Sequence, residues 1–369
     1  MKKFLFGIVF LWSIMSCCVF ACTSWMVFSD MTQNGTNILH KNRDAVSRKI
    51  NLYASPADSK RKWIGSGNNG NIFMGINNAG LAVIMNNGEV YANYKNPANQ
   101  KKTTPVIIRE ALENCDTAAQ AVKYLQKIIE NKHYYHVDKK GSIYFFCDTA
   151  EGYVCEITDN FCSVQRYDSG STVRANIWQN PGMYQRSRSN IRWHLNSSAR
   201  AYIAISGLNA IVDKHGKISL LDIFDLTRHC EMPESSPEKR SVCFRATNST
   251  ASFEIDKQYP EVLSSMYATV GHPRHTVYVP VPVCAEKFHP AMTDLKWSTA
   301  AWKRFDELKL QAPIPAEWTD FEKDSMAEYS AAKARARKLL DSGKRSEAIK
   351  LMNSTAEKIW LKAAALLKI

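Results

Sequence analysis

Residues 22–44 read CTSWMVFSDMTQNGTNILHKNRD, and their order decides the fold. A strand-like run, Thr23 to Ser29, leads into Asn34-Gly35, a strong hairpin signal, and Ile38 to Asn42 is the returning strand. Antiparallel pairing brings the end of the second strand back beside the start of the first. The hairpin therefore carries Asp44 toward Cys22. What precedes Cys22 gives that residue its interest. Residues 1–21 have a short positive start (Lys2, Lys3), an apolar run from Phe4 to Met15, and Val19-Phe20-Ala21 at the −3 to −1 positions. That is the pattern of a secretory signal peptide. Cleavage after Ala21 would leave Cys22 as the first residue, with a thiol and a free α-amine. A thiol needs a base to become a good nucleophile, and an α-amine of pKa about 7.7–8 is such a base near neutral pH. Asp44 is then the candidate for orienting the amine, as a third group orients a base in a triad. Two other readings stay open on the leader alone. Val-Phe-Ala-Cys is also a loose lipobox, in which Cys22 is lipidated and anchors the protein, or Cys22 is terminal without a role.

Working outward, residues 22–92 read as β-structure, with a second strand–turn–strand from Ile72 through Asn77-Asn78-Ala79-Gly80 to Met85. Residues 103–131 change to helical period, with apolar positions from Val106 to Ile129 and a break at Asn114 to Thr117, where Asp116 or Thr117 caps the second helix. Strands return over 141–168. Residues 181–200 read as a basic helix, and 241–256 and 275–283 as strands. From about Thr293 the chain turns Ala/Lys/Glu-rich, with helices at Leu295–Leu308, Phe321–Leu340 and Arg345–Lys368. Strands with inserted helices and a helical tail make the fold α+β. The expected division is 1–21 signal peptide, 22–290 catalytic domain and 291–369 helical extension. That extension is expected to pack on the core; a lid, an oligomer contact or a membrane-surface helix are the alternatives.

The chain has 369 residues and a formal net charge of +13, or +11 without Lys2 and Lys3. The excess is spread rather than gathered in a tail, and no nucleic-acid motif accompanies it, so it reads as solvated surface. After the leader no apolar run approaches the ~20 residues that span a bilayer. Of ten cysteines, Cys17 and Cys18 leave with the leader. Cys230 and Cys243 flank a Pro/Ser/Glu-rich loop and are the first disulfide pair to consider in an oxidising compartment. There is no CxxC and the histidines are scattered, so no zinc site is expected.

Four segments together resemble the N-terminal-nucleophile (Ntn) hydrolases of the linear-amide C–N hydrolase group. That group includes choloylglycine (bile salt) hydrolases, penicillin V acylases and acyl-coenzyme A:6-aminopenicillanic acid acyltransferases. Cys22-Thr23-Ser24 is similar to the nucleophile start, and Asn42-Arg43-Asp44 to the family's Asn-x-Asp. Gly75-Ile76-Asn77-Asn78-Ala79-Gly80-Leu81-Ala82-Val83 is similar to its G-M-N-E-x-G-L-A-V segment. Arg174-Ala175-Asn176 resembles the element that supplies an oxyanion-hole asparagine. Pro105 to Leu125 leans toward the acyltransferase-like branch. The resemblance spans about Cys22 to Val283 and leaves the C-terminal helices unmatched.

It implies a four-layer αββα sandwich and amide cleavage through a Cys22 thioester, with the α-amine as base and no cofactor or metal. It also implies Asn176 and either Asn86 or Asn87 as oxyanion donors, an effect of about 3–4 kcal/mol per donor. One departure stands out. Bile salt hydrolases carry Arg immediately before the Asn, where Lys41 stands here, and Lys lacks the planar fork of Arg. Arg43 is a candidate substrate-binding residue, although strand alternation would turn it away from Asp44. The expected protein is exported, periplasmic or secreted, with lipid anchoring through Cys22 as the alternative. Its partner is a small-molecule amide, and a homo-oligomer is in keeping with relatives of this kind. Acyl transfer shares the thioester. Hydrolysis is favoured because water is the abundant acceptor unless a site excludes it. The contrasting function is a catalytically inactive lipoprotein that binds a ligand.

Overall fold

The structure, a computed structural model, describes residues 21–91, 102–136, 140–230 and 241–369. Apart from Ala21, the leader lies outside the described residues, as does the 231–240 stretch between Cys230 and Cys243. In chain order the elements are β1 (Thr23–Val27), β2 (Asn37–Asp44), β3 (Asn51–Ala54), β4 (Trp63–Asn68), β5 (Asn71–Asn77) and β6 (Ala82–Val90). Helices α1 (Thr104–Asn114) and α2 (Ala118–Glu130) follow, then β7 (Lys140–Cys147), β8 (Gly152–Ile157), β9 (Cys162–Tyr167) and β10 (Ser171–Arg174). Next come α3 (Ile191–His215), α4 (Leu220–Thr227), β11 (Thr247–Ile255), α5 (Pro260–Leu263), β12 (Ser265–Thr269) and β13 (Val279–Pro282). The chain ends in α6 (Lys296–Leu308), α7 (Ala316–Asp341) and α8 (Arg345–Leu367).

These elements build two antiparallel sheets, β10-β1-β2-β11-β12-β13 and β3-β4-β5-β6-β7-β8-β9. One apolar cluster fills the space between them, with Met26 and Leu39 meeting Ile76, Ile84 and Phe145. A second joins the outer face of the seven-stranded sheet (Val83, Tyr144, Phe146) to α1 and α2 through Ile108, Leu112 and Leu125. A third joins the outer face of the six-stranded sheet (Trp25, Val27, Ile38) to α3 and α4 through Ala204, Leu208 and Ile223. The layers therefore run helix, sheet, sheet, helix. This explains why central strands such as β7 (KGSIYFFC) show no alternation: both of their faces are covered.

Local chemistry sets the element ends. Thr117 caps α2, its hydroxyl accepting from Gln120 N at 3.2 Å. Gly80 turns the chain from β5 to β6 at φ +86°, and a Cβ there would meet Pro260 Cβ at 2.9 Å. The basic helix begins ten residues later than the sequence suggests. Pro181-Gly182 keeps the preceding stretch irregular, Asn190 caps at Trp193 N (2.9 Å), and Gly216 ends the helix in the left-handed region. The 241–256 and 275–283 strands are shorter than expected, and β12 and α4 were not foreseen. β13 keeps Pro280 and Pro282 because it is the sheet's edge.

That edge is covered by the C-terminal helices, which pack into the inter-sheet core. Trp360 donates through Nε1 to Pro280 O at 2.7 Å, and Tyr329 shares a 2.8 Å hydrogen bond with Ser265. Arg228 forms a bidentate pair with Glu322 of α7 (2.6 and 2.7 Å), and Glu322 also accepts from Tyr278 N at 2.7 Å. Lys333 pairs with Glu254 of β11. Burial pushes that carboxyl up, but Lys333 and hydrogen bonds from Asn34 and Tyr267 outweigh it and hold Glu254 below its ordinary value. Among the described residues no helix is long and apolar enough to cross a membrane.

Candidate active site

The register of β1 on β2 pairs Thr23 with Asn42 and Ser24 with Lys41. Continued by one residue, it sets Cys22 opposite Arg43. Directly opposed residues share a face, and here it is the face toward the second sheet. Met26, Ser24 and Cys22 thus alternate on that face of β1, with Leu39, Lys41 and Arg43 on that face of β2. The sheets part at this end around a pocket of about 550 Å³. Cys22, Lys41, Arg43, Asp44 and Asn87 line it together with apolar Val46, Phe73, Met85, Pro105 and Tyr135.

Arg43 is therefore on the pocket wall, which corrects the expectation that strand alternation turns it away. Asp44 ends its strand and reaches the same space, so the two neighbours are not on opposite sides of a sheet there. The Arg43 guanidinium lies 4.1 Å over the Phe73 ring and donates from Nη2 to Asn68 Oδ1 at 2.8 Å. Its Nη1 is buried without a hydrogen-bond partner among the described residues. Burial lowers Arg43 to about 10, against the opposing pull of Cys22 and Asp44. Asp44 Oδ1 accepts from Thr247 Oγ1 at 2.6 Å, fixing the carboxylate against β11.

Asn176 sits just past β10, which pairs with β1 on the side away from β2. Its Oδ1 accepts from Cys22 N at 2.8 Å, and its Nδ2 donates to Asn87 O at 2.7 Å. In this chain Cys22 N is still the peptide nitrogen of the Ala21–Cys22 bond. It stands where the α-amine of a chain beginning at Cys22 would be. The Asn176 backbone is held by Trp193, whose Nε1 donates to Asn176 O at 2.7 Å. Beneath it, buried Arg174 pairs with Glu156 at 3.1 Å, and Glu156 takes the backbone N–H groups of Gln179 and Asn180.

The two candidate asparagines of β6 separate cleanly. Both amide hydrogens of Asn86 are spent, on Arg174 O and Ala175 O at 3.1 Å each, and its Oδ1 accepts from Ser24 Oγ at 2.8 Å. Asn86 is a buried strut and has no side-chain donor left for an oxyanion. Asn87 lines the pocket, its Oδ1 3.2 Å from His136 Nε2.

Two further side chains reach Cys22. Arg200 of α3, 1% exposed, donates from Nη1 to Cys22 O (2.6 Å) and Thr23 Oγ1 (3.0 Å), and from Nη2 to Asn176 Oδ1 (2.7 Å). In the sequence it is one more cation in a basic helix, and nothing marks it as buried. Lys41, 2% exposed, donates to Met85 O and, at 3.5 Å, to Asn86 Oδ1, and lines the same pocket as Cys22. Its signal was the departure from Arg noted above. Cys230 and Cys243, the pair considered for a disulfide, are not bonded to each other; Cys243 Sγ is turned toward His272 Nε2 at 4.0 Å.

A sandwich of two antiparallel sheets between helical layers, with a cysteine opening a central strand at a pocket, defines the Ntn-hydrolase class. Within it, the model of the acyl-coenzyme A:6-aminopenicillanic acid acyl-transferase family matches residues 31–241, more than half of the chain, and the chain belongs to that family. No curated protein matches it. Similar solved structures include a variant of the conjugated bile acid hydrolase from Clostridium perfringens, at 14% identity and TM-score 0.49, covering 71% of this chain and 92% of that one. Penicillin V acylase from Agrobacterium tumefaciens is similar at 15% identity and TM-score 0.47, over 71% of this chain and 86% of that one. The Caenorhabditis elegans ortholog of N-acylethanolamine-hydrolyzing acid amidase is similar at 14% and 0.43, over 65% and 94%.

Proposed function

We propose that this protein is an exported N-terminal-cysteine amidohydrolase that cleaves a linear N-acyl amide through a Cys22 thioester. The observation that carries the reading is the 2.8 Å hydrogen bond from Cys22 N to Asn176 Oδ1 at a pocket that Cys22 itself lines. Once Ala21 is removed, that nitrogen is the base, already oriented beside its own thiol. The sulfur attacks the amide carbonyl while the α-amine takes the thiol proton and passes it to the departing amine. Water then hydrolyses the thioester by the same base in reverse. Asn176 spends one amide hydrogen on Asn87 O and keeps the other for the developing oxyanion, and the Asn87 side chain is the second donor. Asp44 sets the field at the amine, and Arg43 offers the buried Nη1 to a polar group of the substrate. The apolar wall, Phe73 with Val46 and Met85, suits an acyl group.

Transfer of the acyl group to an acceptor amine is the second reading, favoured by the family's own description. Both pass through acyl-Cys22. Acid-quenching the enzyme in turnover of an N-acyl amide and weighing the N-terminal peptide should reveal the peptide plus one acyl group. An added amine that diverts acyl product from acid to new amide identifies transfer. Turnover with the acyl group on another residue, or on none, sinks the thioester.

A further inference from the structure

We propose that a second hollow, on the outer face of the seven-stranded sheet, binds a small carboxylate with a flat apolar body. The hollow has a volume of about 190 Å³. Its walls include Tyr53 of β3, Trp63 of β4, Ile72 of β5 and Pro105, Val106 and Arg109 of α1. Among the described residues it shares Pro105 alone with the catalytic pocket. The first turn of α1 is thus the partition between the two, with Thr103 and Thr104 on the catalytic side.

The sequence makes the space. Gly65 pairs with Tyr53 across one strand boundary and with Gly75 across the other. Paired residues share a face, and so do residues two apart on a strand. Tyr53, Trp63 and Gly65 therefore all face α1, and Gly65 puts no side chain between the two rings. The β4–β5 ladder then steps from Ser66–Met74 to Gly67–Ile72, which leaves Phe73 as an extra, bulged residue. The bulge lets Ile72 join the outer cluster while its neighbour Phe73 lines the catalytic pocket.

Three donors at this hollow lack an acceptor among the described residues. Trp63 is 4% exposed, and its indole N–H is buried and unpaired. Tyr53 Oη accepts from Gly70 N at 3.1 Å, and its own hydrogen is unspent. Arg109 is exposed and pairs with no carboxylate. Buried N–H groups are costly to leave unpaired, and folded proteins leave few of them. A carboxylate is acceptor-only, so it serves all three donors, and its charge answers the guanidinium. No acidic side chain lines the hollow to repel it, and Ile72, Pro105 and Val106 offer an apolar surface to the rest of the ligand. The size is also specific. A cavity of about 150 Å³ holds one benzene ring, so about 190 Å³ holds a ring with a carboxylate.

Benzoate is the probe and benzamide its uncharged counterpart. Both are titrated into the Cys22→Ala chain, in which no amide can be turned over, so the result is independent of the amidase reading. The indole N–H resonance of Trp63, assigned by its loss in Trp63→Phe, reports the site. The expected result is a saturable shift of that resonance at ~millimolar benzoate, the range for a ligand of so few atoms. Benzamide should bind about tenfold more weakly or worse. Arg109→Gln should weaken benzoate by about tenfold or more and leave benzamide unchanged, as loss of a charge-assisted hydrogen bond requires. A Trp63 resonance that benzoate leaves in place overturns the proposal. Equal binding of the two probes overturns it too, as does an Arg109→Gln protein that binds benzoate as before. Should Trp63→Phe fail to fold, Val106→Phe fills the hollow from the helix side. It should abolish the heat of benzoate binding in calorimetry, and retained heat contradicts the assignment.

Discussion

Replacing Cys22 by Ala should lower kcat/KM for an N-acyl amide by about 10⁴-fold or more, with little change in melting temperature. The size of the effect follows from the unit that is broken. In the proposed mechanism sulfur forms the bond to carbon, and the α-amine, Asn176 and Asn87 act on that one event, so the thioester route is lost with the sulfur. Stability should hold because Cys22 lines a pocket rather than filling the core, and Ala keeps the backbone that accepts from Arg200 and donates to Asn176. Measuring turnover beside a thermal melt separates the two. Retained activity in a folded Cys22→Ala protein would remove the nucleophile assignment.

Asn176→Ala should lower kcat by about 10²–10³-fold, the usual cost of losing one oxyanion donor. It also takes away the acceptor of Cys22 N and leaves an Arg200 N–H without Asn176 Oδ1. A buried donor stripped of its partner costs about 1–3 kcal/mol, so this variant should melt lower as well. Asn176→Asp separates the roles, since it returns an acceptor for the nitrogen and for Arg200 but no N–H for the oxyanion. Stability should recover in Asn176→Asp while kcat stays low. Full recovery of kcat would make Asn176 a holder of the amine alone, and an unchanged kcat in Asn176→Ala would take it out of the site.

The hairpin of residues 22–44 was legible because its chemistry is local: a strand-like run, an Asn-Gly turn and a returning strand. The α1–α2 pair was legible for the same reason. What escaped was set by tertiary packing. β12 (SMYAT) has no pattern of its own and is a strand because it lies between β11 and β13. α4 carries a capping box, Ser219 with Asp222, a local signal that was present and unread. Arg200 could not be found from sequence, because a cation in a basic helix reads as solvated until the helix is laid on β1. Arg43 was placed on the wrong side by counting alternation back from Asp44, which ends its strand. The choice between Asn86 and Asn87 needed the hydrogen bonds that spend the Asn86 amide on the chain at 174–175.

The central claim is that Cys22 works as an unmodified N-terminal residue, and the intact mass of the protein matured in a bacterial host tests it most directly. The account predicts a chain beginning at Cys22 with its thiol and amine both free, competent for alkylation and for acyl transfer from an N-acyl amide. A diacylated Cys22, or a chain that begins elsewhere, would contradict it and leave a ligand-binding surface protein in its place.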